Sequence, residues 1–170
     1  TGEKETSVTA DHFVMALGSA SAEWAARLGL YVPVYPLKGY SITVDAPPGA
    51  AWAPRVNVTD AARKVVFARL GDRLRVAGMA ELVGDDRSIP ADRIERLRAT
   101  VAAVLGRELD RDALQLRPWT GMRPATPTGL PIVGRQPGGP GNLWLNTGHG
   151  ALGFTLSFGT AEQLAQAMGQ

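Results

Sequence analysis

Apolar residues follow two spacings along this chain, and each spacing predicts one kind of secondary structure. Near the start, the apolar run of residues 11–17 predicts a buried strand, and residues 21–28 predict a short helix. Near the end, residues 142–146 predict another strand, and apolar side chains recur at helical spacing from residue 154 onward. A strand followed closely by a helix is half of an α/β unit, so both ends predict an α/β fold. The apolar positions of the last helix are Leu156, Phe158, Ala161, Leu164, Ala165 and Met168.

The middle of the chain carries the alternating pattern of strands that are buried on one face. Residues 40–44 predict a half-buried strand, and residues 55–58 predict a further one. The clearest pattern is a hairpin, in which residues 64–70 pair with residues 73–79 across Gly71-Asp72. These strands predict an antiparallel sheet with one covered face.

A helix is predicted to start at residues 89–92, after the strands. One of its faces is apolar, and its charged residues are expected to face solvent. The apolar face consists of Ile94, Leu97, Val101, Val104 and Leu105. The positions expected to be solvated are Arg93, Glu95, Arg96 and Arg98. Strands followed by a helix form an α+β element, so we expect the chain to leave one domain, build a second and return.

Proline and glycine interrupt the regular patterns at two places. In residues 117–134 they exclude a helix, and we expect a shaped loop followed by an extended segment. Thr126–Gly129 within it fits a type I turn. Pro36 and Gly39 likewise predict a connection ahead of the strand at residues 40–44.

Composition narrows the functional classes. The 170 residues are 45% hydrophobic, which suffices for one sizeable core and a second small one. The formal charge of +2 arises from scattered charges of both signs, which argues against a nucleic-acid partner. With no cysteine and two histidines, the chain offers neither a thiolate nucleophile nor a zinc site. No apolar run has the length of a membrane span, and Thr1–Glu5 lacks the apolar core of a signal peptide, so we expect a cytoplasmic protein.

A glycine motif lies between the last predicted strand and helix. Gly148-His149-Gly150-Ala151-Leu152-Gly153 is a literal G-x-G-x-x-G. A dinucleotide-binding interpretation needs a following strand and an acidic residue about 20 positions further on, and the chain offers neither. What remains is a turn that leads into a helix N-terminus, where backbone N–H groups and the helix dipole favour an anionic or electron-rich group. A tight turn without a ligand is the alternative.

Three segments together resemble a known family. They are residues 35–41 (YPLKGYS), 119–124 (WTGMRP) and 142–150 (NLWLNTGHG), supported by Ala16-Leu17-Gly18-Ser19 at the end of the first strand. In this order and spacing they are similar to the C-terminal part of FAD-dependent amine and amino-acid oxidoreductases of the D-amino-acid oxidase superfamily. Within that superfamily the chain most resembles the bacterial D-amino-acid dehydrogenases (small subunit), and the resemblance extends over nearly its whole length.

The resemblance implies the C-terminal part of a two-domain flavoenzyme that combines α/β and α+β elements. Residues 1–36 and 118–170 then belong to the FAD-binding domain, and residues 37–117 form a substrate domain with an antiparallel sheet. A Rossmann unit with its own glycine motif is expected upstream of Thr1. The first predicted strand, which has no partner before it, agrees with that expectation.

The resemblance assigns three residues to the substrate. Family members bind the substrate carboxylate on an arginine of a Gly-x-Arg-Pro segment, and that position is Arg123. A guanidinium offers two parallel donors to a carboxylate and so fixes the orientation of an amino acid. Tyr40 resembles an aromatic residue that helps to close the pocket, although a half-buried strand tyrosine explains it equally well. Phe67 stands roughly where related oxidases place a tyrosine hydroxyl near the substrate, so the chain departs from them at one hydrogen bond.

A second set of residues is implied to line the flavin. In the family, the glycine turn and the helix N-terminus face the pyrimidine end of the isoalloxazine ring, where negative charge gathers on reduction. His149 is interpreted as a lining residue, because direct hydride transfer needs no general base. No residue is assigned a catalytic role. The implied flavin-lining residues are Gly18, Ser19, Gly148, His149, Gly150, Leu152, Gly153 and Thr155.

The function implied by the resemblance is oxidative deamination of D-amino acids to 2-oxo acids and ammonia, by hydride transfer to FAD. The expected partners are a D-amino acid, a respiratory acceptor (a quinone or an electron-transfer protein) and the upstream FAD-binding segment, without which the chain is expected to be inactive. Peripheral attachment to the inner face of the bacterial inner membrane is compatible with this function. Two alternatives stay open: an oxidase of glycine, sarcosine or another secondary amine, and a non-enzymatic module that binds an anion or a protein partner.

Overall fold

The computed structural model describes residues 7–109 and 116–169. Within them the chain forms two compact units: the first combines the residues up to Tyr35 with those from Arg123 onward, and the second is Pro36–Met122. In chain order the elements are β1 (Phe13–Met15), α1 (Ser21–Arg27), β2 (Tyr35–Asp45), β3 (Val58–Asp60), β4 (Val65–Leu70), β5 (Arg73–Glu81), α2 (Ala91–Leu105), β6 (Arg117–Ala125), β7 (Ile132–Gly134), β8 (Leu143–Thr147) and α3 (Gly153–Met168).

A small mixed sheet organises the first unit. Among the described residues it has three strands in the order β1-β8-β7, with β1 parallel and β7 antiparallel to β8. The helix α1 and the segment that follows it pack their apolar side chains on this sheet. The buried core of the unit is formed by Met15, Ala25, Leu30, Val32, Val34 and Leu145. The α/β prediction for the two ends of the chain is confirmed.

Two apolar segments of the first unit are more exposed than the sequence predicts. The strand expected at residues 11–17 covers only three residues, and of these only Met15 is buried. Phe13 and Val14 are exposed. Helix α3 forms as predicted, yet Phe158 is 89% exposed.

The second unit is a sheet covered on one face by α2. Within the described part of the chain the strand order is β3-β4-β5-β2-β6, and the first three strands and β2 pair antiparallel with their neighbours in turn. The β4–β5 hairpin closes with Leu70 opposite Arg73, as predicted. The apolar face of α2 packs on the sheet, also as predicted. Prominent core residues are Tyr40, Ile42, Val44, Phe67, Leu74, Val76, Leu97 and Val101.

The central strand β2 differs from its prediction in length and in burial. It starts at Tyr35, so Pro36 and Gly39 lie inside a strand and not in a connection. From Lys38 to Val44 every residue is buried, on both faces of the strand. The half-buried pattern was therefore wrong, and the short strand predicted at residues 55–58 lies at β3 instead.

The charged residues of α2 are less solvated than their pattern predicts. Arg93 donates to a carboxylate oxygen of Glu81 in the adjacent strand β5. Arg98 donates from Nε to the carbonyl oxygen of Leu109, at 3.0 Å. Both arginines therefore tie the helix to its surroundings, whereas Arg96 is exposed.

The first part of the proline-rich segment is the strand β6, which corrects the expectation of a loop there, and the extended segment expected after it is present as β7. Proline is tolerated in β6 because this strand lies at the edge of the described sheet, where fewer ladder hydrogen bonds are needed than in a central strand. The turn predicted at Thr126–Gly129 is present, with the Gly129 N–H donating to the Thr126 carbonyl at 3.1 Å. Residues of β6 up to Met122 belong to the second unit, and those from Arg123 belong to the first. The assignment of residues 1–36 and 118–170 to a FAD-binding domain, and of residues 37–117 to a substrate domain, stays a prediction.

Leu97 provides a test of the core between α2 and the sheet, because its side chain is fully buried. We expect Leu97→Ala to lower the free energy of unfolding by about 2–5 kcal/mol, since it removes buried methyl groups and leaves a cavity. Urea unfolding followed by circular dichroism measures the loss. Arg96→Ala, on the exposed face of the same helix, is the control and is expected to stay within about 0.5 kcal/mol of the parent chain. Equal losses in the two variants would contradict this packing.

Candidate functional site

Two glycine turns meet at the carboxyl ends of β1 and β8. These strands are adjacent and parallel, so their carboxyl ends lie at the same edge of the sheet. Gly18 follows β1 with a φ of +58°, and Gly148 follows β8 with a φ of +78°, a region that suits glycine. Both turns lead into helices. Because ligands of open α/β sheets bind outside the carboxyl ends of the strands, this edge is the candidate site.

The turn at Gly148 combines close packing with open space. A Cβ atom at Gly148 would lie 2.6 Å from Cγ2 of Thr126, so a larger residue does not fit without movement. A Cβ atom at Gly18 or Gly150 would meet nothing within 4 Å. Gly148 is therefore packed closely against Thr126, whereas the space beside Gly18 and Gly150 is open.

Helix α3 presents its N-terminus at this edge. A 3-10 turn, Gly150–Leu152, leads directly into α3. Neither its N-cap residue, His149, nor Leu152 makes a side-chain capping hydrogen bond, and the first turns contain no acidic residue. The first N–H groups of a helix lack intrahelical partners and carry partial positive charge. An uncapped, unneutralised helix start beside two open glycine turns favours an anionic or electron-rich ligand.

A buried pair of hydroxyl groups joins the two turns. Thr147 Oγ1 donates to the carbonyl oxygen of Gly18 at 3.1 Å, and Ser21 Oγ lies 2.8 Å from Thr147 Oγ1. Thr147 has one hydroxyl proton and uses it on Gly18, so Ser21 is the donor to Thr147. Both side chains are buried. Sequence reasoning missed this pair, although each residue stands within three positions of a glycine that it singled out.

His149 is attached to α3 by its ring. Its Nε2 lies 3.2 Å from Thr160 Oγ1, and Thr160 donates its own proton to the carbonyl oxygen of Leu156 at 3.0 Å. This contact holds the ring of His149 against α3. A ring held in this way agrees with a lining role.

The structure places all the predicted flavin-lining residues around this edge, at the two turns or in the first turn of α3. That they contact FAD stays a prediction. The residues are Gly18, Ser19, Gly148, His149, Gly150, Leu152, Gly153 and Thr155.

Arg123 belongs to the first unit and lies in β6, three residues before Thr126. It is half-buried, and burial lowers the pKa of its guanidinium below the usual value. Partial removal from water strengthens the attraction between a guanidinium and a carboxylate. The environment of Arg123 therefore suits the carboxylate-binding role that the sequence predicts for it.

Tyr40 and Phe67, the other predicted substrate residues, lie in the interior of the second unit. Phe67 is completely buried in the core. Tyr40 is also buried, and its hydroxyl donates to Glu81 Oε2 at 2.6 Å. Burial and this acceptor raise the pKa of Tyr40. Neither side chain presents a surface to a ligand within the described residues, so a substrate contact through them stays a prediction.

A chain of charged groups surrounds Tyr40. Lys38 is fully buried, with Nζ 3.1 Å from Asp86 Oδ2 and 5.3 Å from the centre of the Tyr40 ring. Burial disfavours the charged form of Lys38, but Asp86 and Tyr40 outweigh this effect and its pKa is raised. The Tyr40 hydroxyl, together with Arg93, lowers the pKa of Glu81. The second unit thus keeps its buried charges paired.

A β-bulge brings Glu81 into this group. Lys38 stands opposite Glu81 and Tyr40 opposite Gly78, so β5 carries one extra residue at this point. Met79 within the bulge has a φ of +65°. Because successive strand residues point to opposite faces, the extra residue moves Glu81 to the face of Tyr40.

The described residues contain no cluster of three or more histidine, cysteine or acidic side chains arranged to hold a metal ion. The helices in the same part of the chain are too short or too polar for any of them to cross a membrane.

Comparison with known proteins assigns the chain to a family. Residues 1–167 match the family described as FAD dependent oxidoreductase. The chain belongs to this family. FAD is the cofactor of this family. The resemblance inferred from three short segments is therefore confirmed.

Curated relatives within the FAD dependent oxidoreductase family are similar over nearly the whole chain. It is 49% identical over 164 residues to D-amino acid dehydrogenase 2 of Pseudomonas aeruginosa and 52% identical over 165 residues to D-amino acid dehydrogenase 2 of Ralstonia nicotianae. These matches cover 96% and 93% of the chain, whereas the chain spans 38% of the length of each relative.

Solved structures support the fold. The chain matches glycine oxidase from Geobacillus kaustophilus with a TM-score of 0.78 at 28% identity, covering 92% of this chain and 40% of that one. It matches iminodiacetate oxidase from a Chelativorans species with a TM-score of 0.82 at 26% identity, covering 96% of this chain and 44% of that one. The predicted fold class, α/β combined with α+β in part of a two-domain flavoenzyme, is confirmed.

Gly148 is expected to tolerate substitution less well than a glycine of the same conformation elsewhere. Gly138 has a φ of +80°, close to the +78° of Gly148, but a Cβ atom there would meet nothing within 4 Å. Gly138→Ala should therefore cost only the backbone strain, about 1–2 kcal/mol. Gly148→Ala should cost about 1–3 kcal/mol more, because it also forces Thr126 to move. Thermal unfolding of both variants measures the difference, and equal losses would rule out the packing contact.

Asp86 is expected to stabilise the second unit in a pH-dependent way. The Ser88 backbone N–H and Lys38 lower the pKa of Asp86 from 3.8 to about 2. A carboxyl group whose pKa is lower in the folded state stabilises the fold above its unfolded pKa and loses this effect as the pH falls through the folded pKa. Asp86→Asn should thus reduce stability at pH 7, and its difference from the parent chain should shrink as the pH falls from 3.8 through about 2. Urea midpoints across this range test it, and Leu97→Ala, whose effect involves no titrating group, is the control.

Proposed function

We propose that this chain is the C-terminal part of a FAD-dependent D-amino-acid dehydrogenase, which converts D-amino acids to 2-oxo acids and ammonia. The observation that carries the proposal is the pair of open glycine turns at the carboxyl ends of β1 and β8, in a chain of a FAD-dependent family. The substrate class is supported by relatives at about half identity that bear the name D-amino acid dehydrogenase.

The chain supplies position and charge in this proposal. When bound, FAD supplies the oxidising step by accepting the α-hydrogen of the amino acid with its electron pair. The turns at Gly18 and Gly148 let the backbone approach the ring, and the start of α3 stabilises negative charge at its pyrimidine end. Ser19, Leu152 and Thr155 complete the lining, and no side chain is needed as a general base.

Arg123 orients the substrate. Its two parallel N–H donors fit the two oxygens of an α-carboxylate, which fixes the amino acid in one direction. Its partial burial supports the role, because a carboxylate that replaces water there is bound more strongly than at an exposed arginine.

The exposed apolar residues of the first unit suit an upstream segment of the same domain. Phe13 and Val14 on β1 and Phe154 and Phe158 on α3 are exposed. Large apolar side chains that are this exposed suit a surface that another segment covers. A Rossmann unit whose sheet continues beyond β1 would cover this strand. Without such a unit, we expect residues 1–170 to be inactive.

The acceptor and the location rest on the resemblance. We propose that electrons leave through a quinone or an electron-transfer protein, and that the protein is cytoplasmic or attached to the inner face of the inner membrane. An oxidase of glycine or a secondary amine is the second candidate, and it is favoured by the structural match to glycine oxidase and iminodiacetate oxidase.

A visible absorbance spectrum of the full-length gene product, recorded anaerobically, tests the proposal. We expect D-alanine to bleach the flavin and L-alanine to leave it oxidised. Bleaching by glycine or sarcosine but not by D-alanine would replace the proposal with the second candidate. A protein without flavin absorbance would overturn both.

Arg123→Lys tests the carboxylate site in the same protein. It keeps the positive charge but loses the paired donors, so KM for D-alanine should rise about 10–100-fold. Arg27→Lys, at an exposed arginine of α1, is the matched control and should leave KM unchanged. An unchanged KM in Arg123→Lys would exclude Arg123 as the carboxylate ligand.

A further inference from the structure

We infer that the buried hydroxyl pair Ser21 and Thr147 is a positioning device that fixes the Gly148 turn for the flavin. The inference rests on the proposed function, because that function places FAD against this turn. Neither residue is proposed to touch the substrate or to take part in the reaction. Both are positioning residues that act through the backbone of the turn.

The pair forms a directed relay. Ser21 donates its hydroxyl proton to Thr147 Oγ1, and Thr147 donates its own to the carbonyl oxygen of Gly18. The same carbonyl also accepts the backbone N–H of Ser21. Each of the two hydroxyl protons therefore has a defined acceptor, and the side chain of Thr147 is 1% exposed. The relay leaves little freedom at either turn.

The position of the relay explains what it fixes. The ladder between β1 and β8 ends with Met15 opposite Leu145. Beyond this pair each segment continues into its glycine turn, and the hydroxyl relay links the two turns. Gly148 follows Thr147 directly, so a shift of Thr147 displaces the turn.

Hydroxyl groups at these two positions fix the arrangement of the turns more narrowly than apolar packing would. Valine has nearly the shape of threonine and would fill the same volume without burying polar atoms. It would leave Ser21 without its acceptor and remove one donor from the Gly18 carbonyl. A fully satisfied buried network specifies one arrangement, whereas apolar contacts tolerate sliding.

The test compares variants of the full-length protein that differ in this link. Thr147→Val removes the relay at nearly constant volume, and Thr147→Ser keeps a hydroxyl at the same place. Ser21→Ala removes the first donor, and the double variant Ser21→Ala/Thr147→Val should be no worse than Thr147→Val alone, because the pair is already lost. Val32→Ala is the control, since it destabilises the same core without a part in the relay.

Two measurements are made on each variant. The first is amide hydrogen exchange of residues 148–153 in the flavin-free protein, and the second is the dissociation constant for FAD. We expect Thr147→Val to speed exchange in the turn and to raise the dissociation constant, each about three- to tenfold, as the loss of one buried hydrogen bond implies. Thr147→Ser should stay within about twofold of the parent protein, and Val32→Ala should lower the melting temperature without raising the dissociation constant.

The outcomes separate this inference from the proposed function. A parent protein that binds no FAD would overturn the proposed function and, with it, the role assigned to the pair. A parent protein that binds FAD, with Thr147→Val equal to it in exchange and affinity, would overturn the inference alone. Equal damage by Thr147→Ser and Thr147→Val would do the same, because the hydroxyl would then not be the group that matters.

Discussion

The parallel pairing of β1 with β8 is the constraint on which the candidate site depends. It joins Phe13–Met15 to Leu143–Leu145, two segments that are far apart in the sequence. Parallel strands present their carboxyl ends at one edge, and both of these ends continue into a glycine turn and a helix. Without this pairing, neither turn has a neighbour that could complete a binding surface.

The second unit is stabilised by contacts within itself. It has its own core between the sheet and α2, and its buried charges are neutralised locally. Lys38 is paired with Asp86, and the bulge at Met79 brings Glu81 to Tyr40 and Arg93. Because burying an unpaired charge is expensive, these pairs are a requirement of the fold and not by themselves a sign of chemistry. Tyr40, for which the resemblance implies a place at the edge of the substrate pocket, donates its hydroxyl to Glu81 within this network.

Local patterns were predictable from the sequence because they depend on neighbouring residues. The β4–β5 hairpin, the apolar face of α2 and the turn at Gly148 follow from alternation, helical periodicity and glycine. Burial was predicted less well, since it depends on what lies on the other side of each element. Phe67 and residues 38–44 of β2 are buried, whereas Phe158 is exposed despite its apolar pattern. The proline-rich strand β6 is possible because it lies at a sheet edge, which no local pattern reveals.

The candidate site is hard to find by residue type because most of its chemistry belongs to the backbone. N–H groups of a helix start and of two glycine turns have no distinctive side chain, and only the need for glycine marks them in a sequence. The hydroxyl relay of Ser21 and Thr147 is equally inconspicuous, because serine and threonine are common at helix starts and strand ends. In the function proposed above, such a site would bind a cofactor that supplies the chemistry of the reaction, and it would leave recognition of the substrate to few side chains. Arg123 is the side chain of the first unit whose charge and partial burial suit that task.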